Sequence, residues 1–359
     1  MRRALLAWYR KERRDLPWRR TRDPYAIWVA EIMLQQTRVA VVVPHYLRFL
    51  ERFPDVRALA RAREDDVLAA WSGLGYYRRA RALRAAAVEV RERHAGRVPS
   101  DAASLARLPG IGRYTAGAIA SQAFGAREPV VDGNVRRVLS RILGLRGKNA
   151  SDASLWRVAE RLVEQDDPGD WNQALMELGA VVCAPRAPDC PRCPVRRNCA
   201  ARKSGDPEAF PERKPAARTR KLRVAVALVS RRGCFLLERP AHGNPLRGTW
   251  DLPAIVIDGA ANPRARLEAG LALRGVRCHA GDEVARASHA ILDRSLRLEV
   301  YACRPLEDPP SGEALRWIRP ASLSRVPVSG ATQKILRAAA QGVQSPDAGT
   351  RNPPFDPRP

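Results

Sequence analysis

Residues 108–132 read LPGIGRYTAGAIASQAFGAREPVVD, and this stretch decides the fold of the first half of the chain. The glycines of Pro109-Gly110-Ile111-Gly112 permit a tight turn, and residues 113–124 have the composition of a helix. The amides at the start of that helix are uncovered and attract phosphate groups. A short apolar segment then leads to Asp132. The stretch predicts two helices joined by a phosphate-binding turn, with a plain turn between helices as the alternative.

The composition predicts a partner of opposite charge. The chain has 359 residues, enough for two domains with separate cores, a formal net charge of +25 and a pI near 11.0. Such a charge favours a polyanion such as nucleic acid. No apolar run reaches the length of a membrane span, and charge follows the N-terminal apolar residues too soon for a signal peptide. We therefore expect a cytoplasmic, nucleoid-associated protein with no membrane partner, and a monomer.

Four of the seven cysteines lie within residues 183–199, with the spacing C-x6-C-x2-C-x5-C. They are Cys183, Cys190, Cys193 and Cys199, and prolines stiffen the loop between them. A tight group of thiols in a chain without secretory features indicates a metal centre, for which soft thiolate ligands permit either zinc or iron–sulfur. The other three cysteines are scattered and are expected to be small core residues.

A glutamate interrupts an otherwise apolar helical segment near the N-terminus. Asp23 and Pro24 are typical of a helix start, and the residues around Glu31 are too apolar to leave a wide polar face. A carboxylate buried there has a raised pKa, which is the condition for a general acid near neutral pH. The alternative is a glutamate on a narrow solvent-facing strip or one paired with an arginine.

The second half of the chain changes character. Residues 201–220 are polar, basic and contain prolines, which predicts a linker that can lie along DNA. Apolar residues then alternate with period two at 224–229 and 235–237, as in strands. We expect an all-α domain over residues 1–200, the linker over 201–220, a second domain with strands over 221–342, and a disordered tail over 343–359.

Several of these motifs together resemble one family. The turn at 109–112 with Asp132 downstream is similar to the helix-hairpin-helix motif and Gly/Pro-rich loop of the base-excision DNA glycosylases. Residues 31–37, EIMLQQT, match the adenine DNA glycosylases of the MutY type. The resemblance extends from residue 5 to about residue 336. It implies a helix-hairpin-helix domain with the hairpin at about 105–124, and one [4Fe-4S] cluster on the loop at 183–199.

The resemblance also implies roles for single residues. Glu31 would protonate the adenine, and Asp132, whose simpler role is to cap a helix, would stabilise the positive charge on the sugar. The implied supporting residues are Tyr114 and Asn134 beside the carboxylates, with Trp18, Arg19 and Glu177 around the base. The implied DNA contacts are Gln36 and Tyr76 as wedges, Thr37, and the hairpin residues Pro109, Gly110, Ile111, Gly112 and Arg113. Ordinary structural roles remain the alternatives for Tyr76, Tyr114 and Glu177.

One position separates two chemistries within the resembled superfamily. The endonuclease III group carries a lysine where this chain has Tyr114, and that lysine forms a Schiff base with the sugar. Because a tyrosine hydroxyl cannot form an imine, the resemblance implies a monofunctional glycosylase with weak or no lyase activity. An endonuclease III-like lyase and a non-catalytic iron–sulfur DNA-binding module are the alternatives.

The second domain resembles the MutT-like Nudix domains at residues 248–253, GTWDLP. The segment after it, PRARLE at 263–268, lacks the clustered glutamates that hold Mg²⁺, so we do not expect pyrophosphate hydrolysis. The resemblance implies a Nudix-like α/β/α sandwich that recognises 8-oxoguanine. Ser288 and His289 stand where the family has a Phe-Ser-His loop, with Ala287 in place of the aromatic residue. The implied reaction is excision of adenine opposite 8-oxoguanine or guanine in double-stranded DNA.

Overall fold

The computed structural model describes residues 1–164, 166–212, 219–239, 249–257, 261–291, 294–309, 312 and 314–342. The chain divides into two compact units, Met1–Ala216 and Ala217–Pro359. Among the described residues, no helix is both long and apolar enough to cross a membrane.

The first unit is helical, as the sequence predicts. Its described α-helices are α1 (Arg2–Glu12), α2 (Pro24–Leu34), α3 (Val39–Arg52), α4 (Val56–Arg61), α5 (Glu64–Ala70), α6 (Arg78–Arg93), α7 (Ala102–Arg107), α8 (Arg113–Phe124), α9 (Gly133–Leu143), α10 (Asp152–Leu162), α11 (Pro168–Val181) and α12 (Ala200–Lys203). A short 3-10 helix, Pro17–Arg19, lies between α1 and α2.

Side-chain caps and glycines fix where the central helices begin and end. Asp23 accepts a hydrogen bond from the amide of Tyr25 at 3.0 Å, and proline follows it at the first helical position. Gly125 ends α8 and Gly144 ends α9 in the left-handed conformation, with φ of 69° and 65°. These signals explain why the sequence predicts the bounds of α8 correctly.

Two hydrophobic cores hold the first unit together. One packs α2 to α7 around residues that include Trp28 and Trp71, and the other packs α1, α9, α10 and α11 around Trp171. Helix α8 serves both cores, since Ile119 lies in the first and Ala118 in the second. Side chains on α8 can therefore meet α2 on one side and α11 on the other.

The second unit is built on a six-stranded mixed sheet. Its strands are β1 (Arg220–Arg231), β2 (Cys234–Glu238), β3 (Ala254–Ile257), β4 (Cys278–Ile291), β5 (Arg294–Pro305) and β6 (Leu315–Ile318), and its helices are α13 (Pro263–Ala272) and α14 (Gly330–Gly342). The strand order is β4-β5-β1-β2-β6, with β3 paired to β1. Strands β1 and β5 are parallel, and the other pairs are antiparallel.

Alternating residues of β1 face two separate cores. Ala225 and Ala227 pack in the core that contains residues of α13, whereas Val224 and Val226 pack in the core that contains residues of α14. One helix therefore covers each face of the sheet, which confirms the expected α/β/α sandwich.

The predicted linker is partly folded. Residues 201–212 belong to the first unit, where Phe210 is buried against Cys199 and Ala201. Arg141 on α9 donates a hydrogen bond to the Phe210 carbonyl at 3.0 Å. The composition of this segment is polar and basic and predicts a linker, but it does not predict that Phe210 is buried and anchors the segment. The predicted disordered tail, 343–359, lies outside the described residues.

Candidate active site and DNA-binding surface

Glu31 lies in the middle of α2 and is only 3% exposed. Its Oε1 accepts a hydrogen bond from Nε2 of Gln122 on α8 at 3.1 Å. Burial raises the pKa of Glu31, and the nearby charge of Asp132 adds to the rise, while hydrogen bonds from Gln122 and Tyr114 oppose it. A carboxyl group in these surroundings keeps its proton to higher pH than an exposed glutamate does, and it can act as an acid toward a bound base.

Asp132 is the N-cap of α9, as the sequence predicts. Its Oδ1 accepts from the amide of Val135 at 2.7 Å, and its Oδ2 accepts from Nδ2 of Asn134 at 3.0 Å. Burial raises the pKa of Asp132, and these two bonds work against the rise. The carboxylate is thus held by donors on both oxygens at the positive end of a helix. Capping and a role near the reacting sugar are compatible.

Tyr114 lies in the first turn of α8, and its hydroxyl donates to Sδ of Met176 at 3.2 Å. Burial and the charges of Glu31 and Asp132 raise the pKa of Tyr114 well above its ordinary value, so the phenol keeps its proton. The structure therefore brings Glu31, Asp132, Tyr114 and Asn134 together.

The residues expected around the base also meet one another. Trp18 is buried and packs edge-on against Tyr46, with ring centroids 5.4 Å apart. Arg19 donates to Oε2 of Glu177 at 2.9 Å, and Arg14 donates to both oxygens of the same carboxylate at 2.8 and 2.7 Å. Burial alone would raise the pKa of Glu177, but the bonds from the two arginines outweigh it and lower the pKa to about 2. Glu177 is thus a buried anion rather than a surface glutamate.

A cavity of about 350 Å³ opens beside Trp18 and Arg19. Two glutamines that the sequence does not single out, Gln122 and Gln173, also line it. Nε2 of Gln173 donates to Oε1 of Gln122 at 2.7 Å, although the two residues are 51 positions apart. Nothing local in the sequence could have revealed this contact, because it joins two helices that only the fold brings together.

The two predicted wedge residues share an unusual backbone conformation. Gln36 has φ of 56° and Tyr76 has φ of 48°, in the left-handed region that residues other than glycine rarely adopt. The buried Arg79 joins the two segments, since it donates to the carbonyl of Gln35 at 2.6 Å and to that of Gly75 at 3.3 Å. Arg79 therefore holds together the two segments that carry the predicted wedge residues.

The hairpin turn follows α7. Gly110 has φ of 77°, and a Cβ added there would lie 2.6 Å from the Cβ of Ala82, so glycine is required. Gly112 is different, because its backbone is extended and a Cβ would meet nothing within 4 Å. It is the N-cap of α8, and its role is to leave the helix amides open rather than to permit the turn. Arg113 follows, stacks on Trp156 at 4.0 Å and pairs with Glu160.

All four clustered cysteines, Cys183, Cys190, Cys193 and Cys199, line one cavity. Within the part of the chain that the structure describes, no group of three or more His, Cys, Asp or Glu side chains is placed to hold a single metal ion. Arg141 lies beside the cavity, and its Nη1 donates to Sγ of Cys183 at 3.3 Å and to the carbonyl of Ala184 at 2.6 Å.

A chain of hydrogen bonds joins Asp132 to the cysteine loop. Asn134 donates to Asp132 and accepts from Nη2 of Arg137 at 2.9 Å, and Nε of Arg137 donates to the Cys183 carbonyl at 2.8 Å. The close approach of α11 depends on Gly179, because a Cβ there would lie 2.6 Å from the Cβ of Asn134. The position of the first cysteine is thus tied to that of the aspartate.

In the second unit, Ser288 and His289 lie near the end of β4, opposite Arg297 and Leu296 of β5. Ser288 is exposed, and burial lowers the pKa of the half-buried His289. In the region where a Nudix signature would stand, Glu268 accepts from the amide of Ala280 at 2.6 Å, so this carboxylate has a structural partner.

Comparison with known proteins agrees with this arrangement. Residues 29–168 match the model of the HhH-GPD superfamily base excision DNA repair proteins, and residues 224–338 match that of the NUDIX domain. A solved thermostable thymine-DNA glycosylase is 32% identical, with a TM-score of 0.53 over 56% of this chain and 94% of its own. The helical unit is thus that of a DNA glycosylase.

Relatives that match over most of this chain identify the kind of DNA glycosylase. The chain is 34% identical to the adenine DNA glycosylase of Homo sapiens over 93% of its length and 73% of the relative's. It is also 34% identical to that of Rattus norvegicus, over 98% of its length and 80% of the relative's. The chain belongs to the adenine DNA glycosylase family.

Proposed function

We propose that this enzyme removes adenine paired with 8-oxoguanine or guanine from double-stranded DNA, using Glu31 as the acid. The observation that carries the proposal is a buried carboxyl with a raised pKa next to Asp132 and Tyr114. The protonated Glu31 gives its proton to the adenine, which then leaves as a neutral base. Asp132, held by donors on both oxygens, stabilises the positive charge on the sugar.

Tyr114 supports a monofunctional reaction. It stands beside both carboxylates, keeps its proton and offers no amine for attack on the sugar. Water then completes the hydrolysis, and the product is an abasic site in an intact strand. Trp18 and Arg19 contact the extruded base, and the left-handed Gln36 and Tyr76 fill the space that it leaves. Thr37 and the hairpin amides after Pro109 bind the backbone phosphates.

The test is single-turnover adenine release from duplexes with adenine opposite 8-oxoguanine, guanine or thymine. We expect release opposite the first two partners, none with Glu31→Gln, and no trapping by borohydride. Release by Glu31→Gln at the wild-type rate would remove the acid from the mechanism. Efficient borohydride trapping would favour the endonuclease III-like lyase.

We also propose that Cys183, Cys190, Cys193 and Cys199 hold one [4Fe-4S] cluster. Four soft thiolate donors line one cavity, and their x6, x2, x5 spacing is similar to that of the cluster loop in this family, which favours iron–sulfur over zinc. When bound, the cluster supplies a rigid crosslink for the loop, while Arg141 donates to the first thiol. The native protein should be yellow-brown, and colourless protein with one zinc per chain would contradict this assignment.

The second unit is proposed to read the base opposite adenine. Ser288 is exposed on β4 and can donate to or accept from the edge that distinguishes 8-oxoguanine, while His289 beside it supports the contact. Ala287 supplies no aromatic packing, so the hydrogen bond of Ser288 is left to carry the discrimination.

A further inference from the structure

We propose that Gln122 is a positioning residue that orients Glu31 for its role as acid. It does so through a hydrogen bond to Glu31, and Arg19, acting through Gln173, determines which end of the Gln122 amide faces Glu31. This inference rests on the proposed function, because it takes Glu31 to be the acid.

The direction of the relay follows from what each group can donate. A guanidinium only donates, so the oxygen of Gln173 must face Arg19, whose Nε and Nη2 lie 3.2 and 3.1 Å from it. The amide nitrogen of Gln173 then faces Gln122 and donates to its oxygen at 2.7 Å. The nitrogen of Gln122 is therefore left to donate to Oε1 of Glu31 at 3.1 Å. Neither amide can turn over without placing two like groups together.

The start of the relay is firmly fixed. Arg19 is nearly buried and donates to the wholly buried carboxylate of Glu177 at 2.9 Å and to the carbonyl of Arg14 at 3.1 Å. Arg14 donates to both oxygens of the same carboxylate. These bonds fix the orientation of the Arg19 guanidinium.

This arrangement divides the work between the two oxygens of Glu31. Oε1 always accepts from Gln122, so the acidic proton resides on Oε2. A donor aimed at the carboxyl also favours the ionised form, and it therefore limits the rise in pKa that burial produces. Without Gln122, Glu31 would hold its proton to higher pH and would lose one of the hydrogen bonds that orient it.

Tyr114 also forms a hydrogen bond with Glu31, but its hydroxyl has a single proton and also lies 3.2 Å from Sδ of Met176, so it does not replace Gln122. Charged and titratable groups close to α2 include Arg19 on the 3-10 helix, Tyr114 on α8, Asp132 before α9, Tyr46 on α3 and Arg79 on α6. Of these, Arg79 donates to backbone carbonyls at the end of α2 and Tyr46 packs on Trp18. Asp132 raises the pKa of Glu31, and Tyr114 and Arg19 lower it.

The experiment measures the pH dependence of single-turnover adenine release with saturating enzyme. The wild-type rate should fall as pH rises through the pKa of Glu31, because only the protonated form is active. Gln122→Met removes the donor and keeps the volume, so the fall should move to higher pH by about one unit. Gln122→Glu keeps an acceptor for Gln173 but adds a like charge beside Glu31, so its fall should move further in the same direction.

Ser121→Ala is the matched control. Ser121 precedes Gln122 on α8 and accepts from Asn172 at 3.0 Å, so its loss loosens the same helix without touching Glu31. It should keep the wild-type pH profile whatever its rate. Slower variants of Gln122 with an unmoved profile would reduce Gln122 to a packing residue and overturn the inference alone. Wild-type release by Glu31→Gln would overturn the proposed function and the inference together.

Discussion

Replacing Arg79 with lysine should separate the two segments that carry Gln36 and Tyr76. Arg79 is 7% exposed, and its guanidinium donates to six acceptors. They are the carbonyls of Ile32, Met33, Gln35, Leu74 and Gly75 and the hydroxyl of Thr37, at 2.6 to 3.3 Å. Arg79 reaches these six acceptors with the N–H groups of Nη1 and Nη2, whereas a lysine ammonium keeps the charge but carries its three N–H groups on one nitrogen and can bond to about half of them.

The size of the effect follows from that count. Each of about three lost bonds to a charged donor is worth roughly 1.5 kcal/mol at the low end of the usual range, which gives about 4 to 5 kcal/mol in all. For a unit of this size, a loss of that order lowers the melting temperature by roughly 10 °C. The affinity for a duplex that carries an uncleavable adenine analogue should fall as well, because the strained wedge residues are no longer held in place.

The matched control is Arg84→Lys on the same helix. Arg84 is half-buried and makes one bond to a carbonyl, that of Ala62 at 2.7 Å, which an ammonium can replace. Calorimetry should show Arg84→Lys within about 2 °C of the wild type. The reasoning is refuted if Arg79→Lys melts together with Arg84→Lys and binds DNA as the wild type does.

Three further predictions concern other parts of the chain. Glu177→Gln should lower the free energy of unfolding by about 3 kcal/mol at pH 7, because the pKa of Glu177 falls from 4.5 to about 2 on folding. That contribution to the free energy of unfolding is complete above pH 4.5 and disappears as the pH falls toward 2, and urea titration should show the difference shrinking over that range. As a control, Glu89→Gln removes a surface ion pair and should change the free energy of unfolding by less than about 0.5 kcal/mol. Arg137→Met should slow adenine release about tenfold with unchanged metal content, because it removes the hydrogen-bond partner of Asn134 but no cysteine. An unchanged rate would show that the link to Asp132 does not contribute to the reaction. Ser288→Ala should reduce the preference for 8-oxoguanine over guanine by roughly tenfold in release assays, and an equal loss opposite both bases would assign it a general DNA contact instead.

The sequence predicts those parts of the fold that local signals determine. The apolar run between Gly112 and Gly125 gives the bounds of α8, and the period-two pattern places β1 and β2. Chemistry-bearing residues such as Glu31 also stand out, because a carboxylate in an apolar helix is uncommon. Residues of this kind can be found from one sequence because their type conflicts with their surroundings.

The residues that hold the site in place give no such signal. Gln122, Gln173 and Arg79 are ordinary on the surface of a helix, and only the packing of α2, α8 and α11 makes them partners. The sequence does not predict the partial folding of residues 201–212 for the same reason, because Phe210 is buried only when α12 and α9 are packed. Long-range partners depend on tertiary contacts, which no window of sequence contains.

The different roles of the two carboxylates follow from their partners rather than from their burial. Both are buried, and burial raises the pKa of both. Asp132 receives a backbone amide and a side-chain amide at the positive end of α9, and both favour the ionised form. Glu31 sits inside an apolar helix with the negative charge of Asp132 close by, which favours the protonated form. An ionised Asp132 makes it harder for Glu31 to lose its proton. In the proposed reaction, the anion that stabilises the sugar cation would therefore also keep Glu31 protonated for transfer to the adenine.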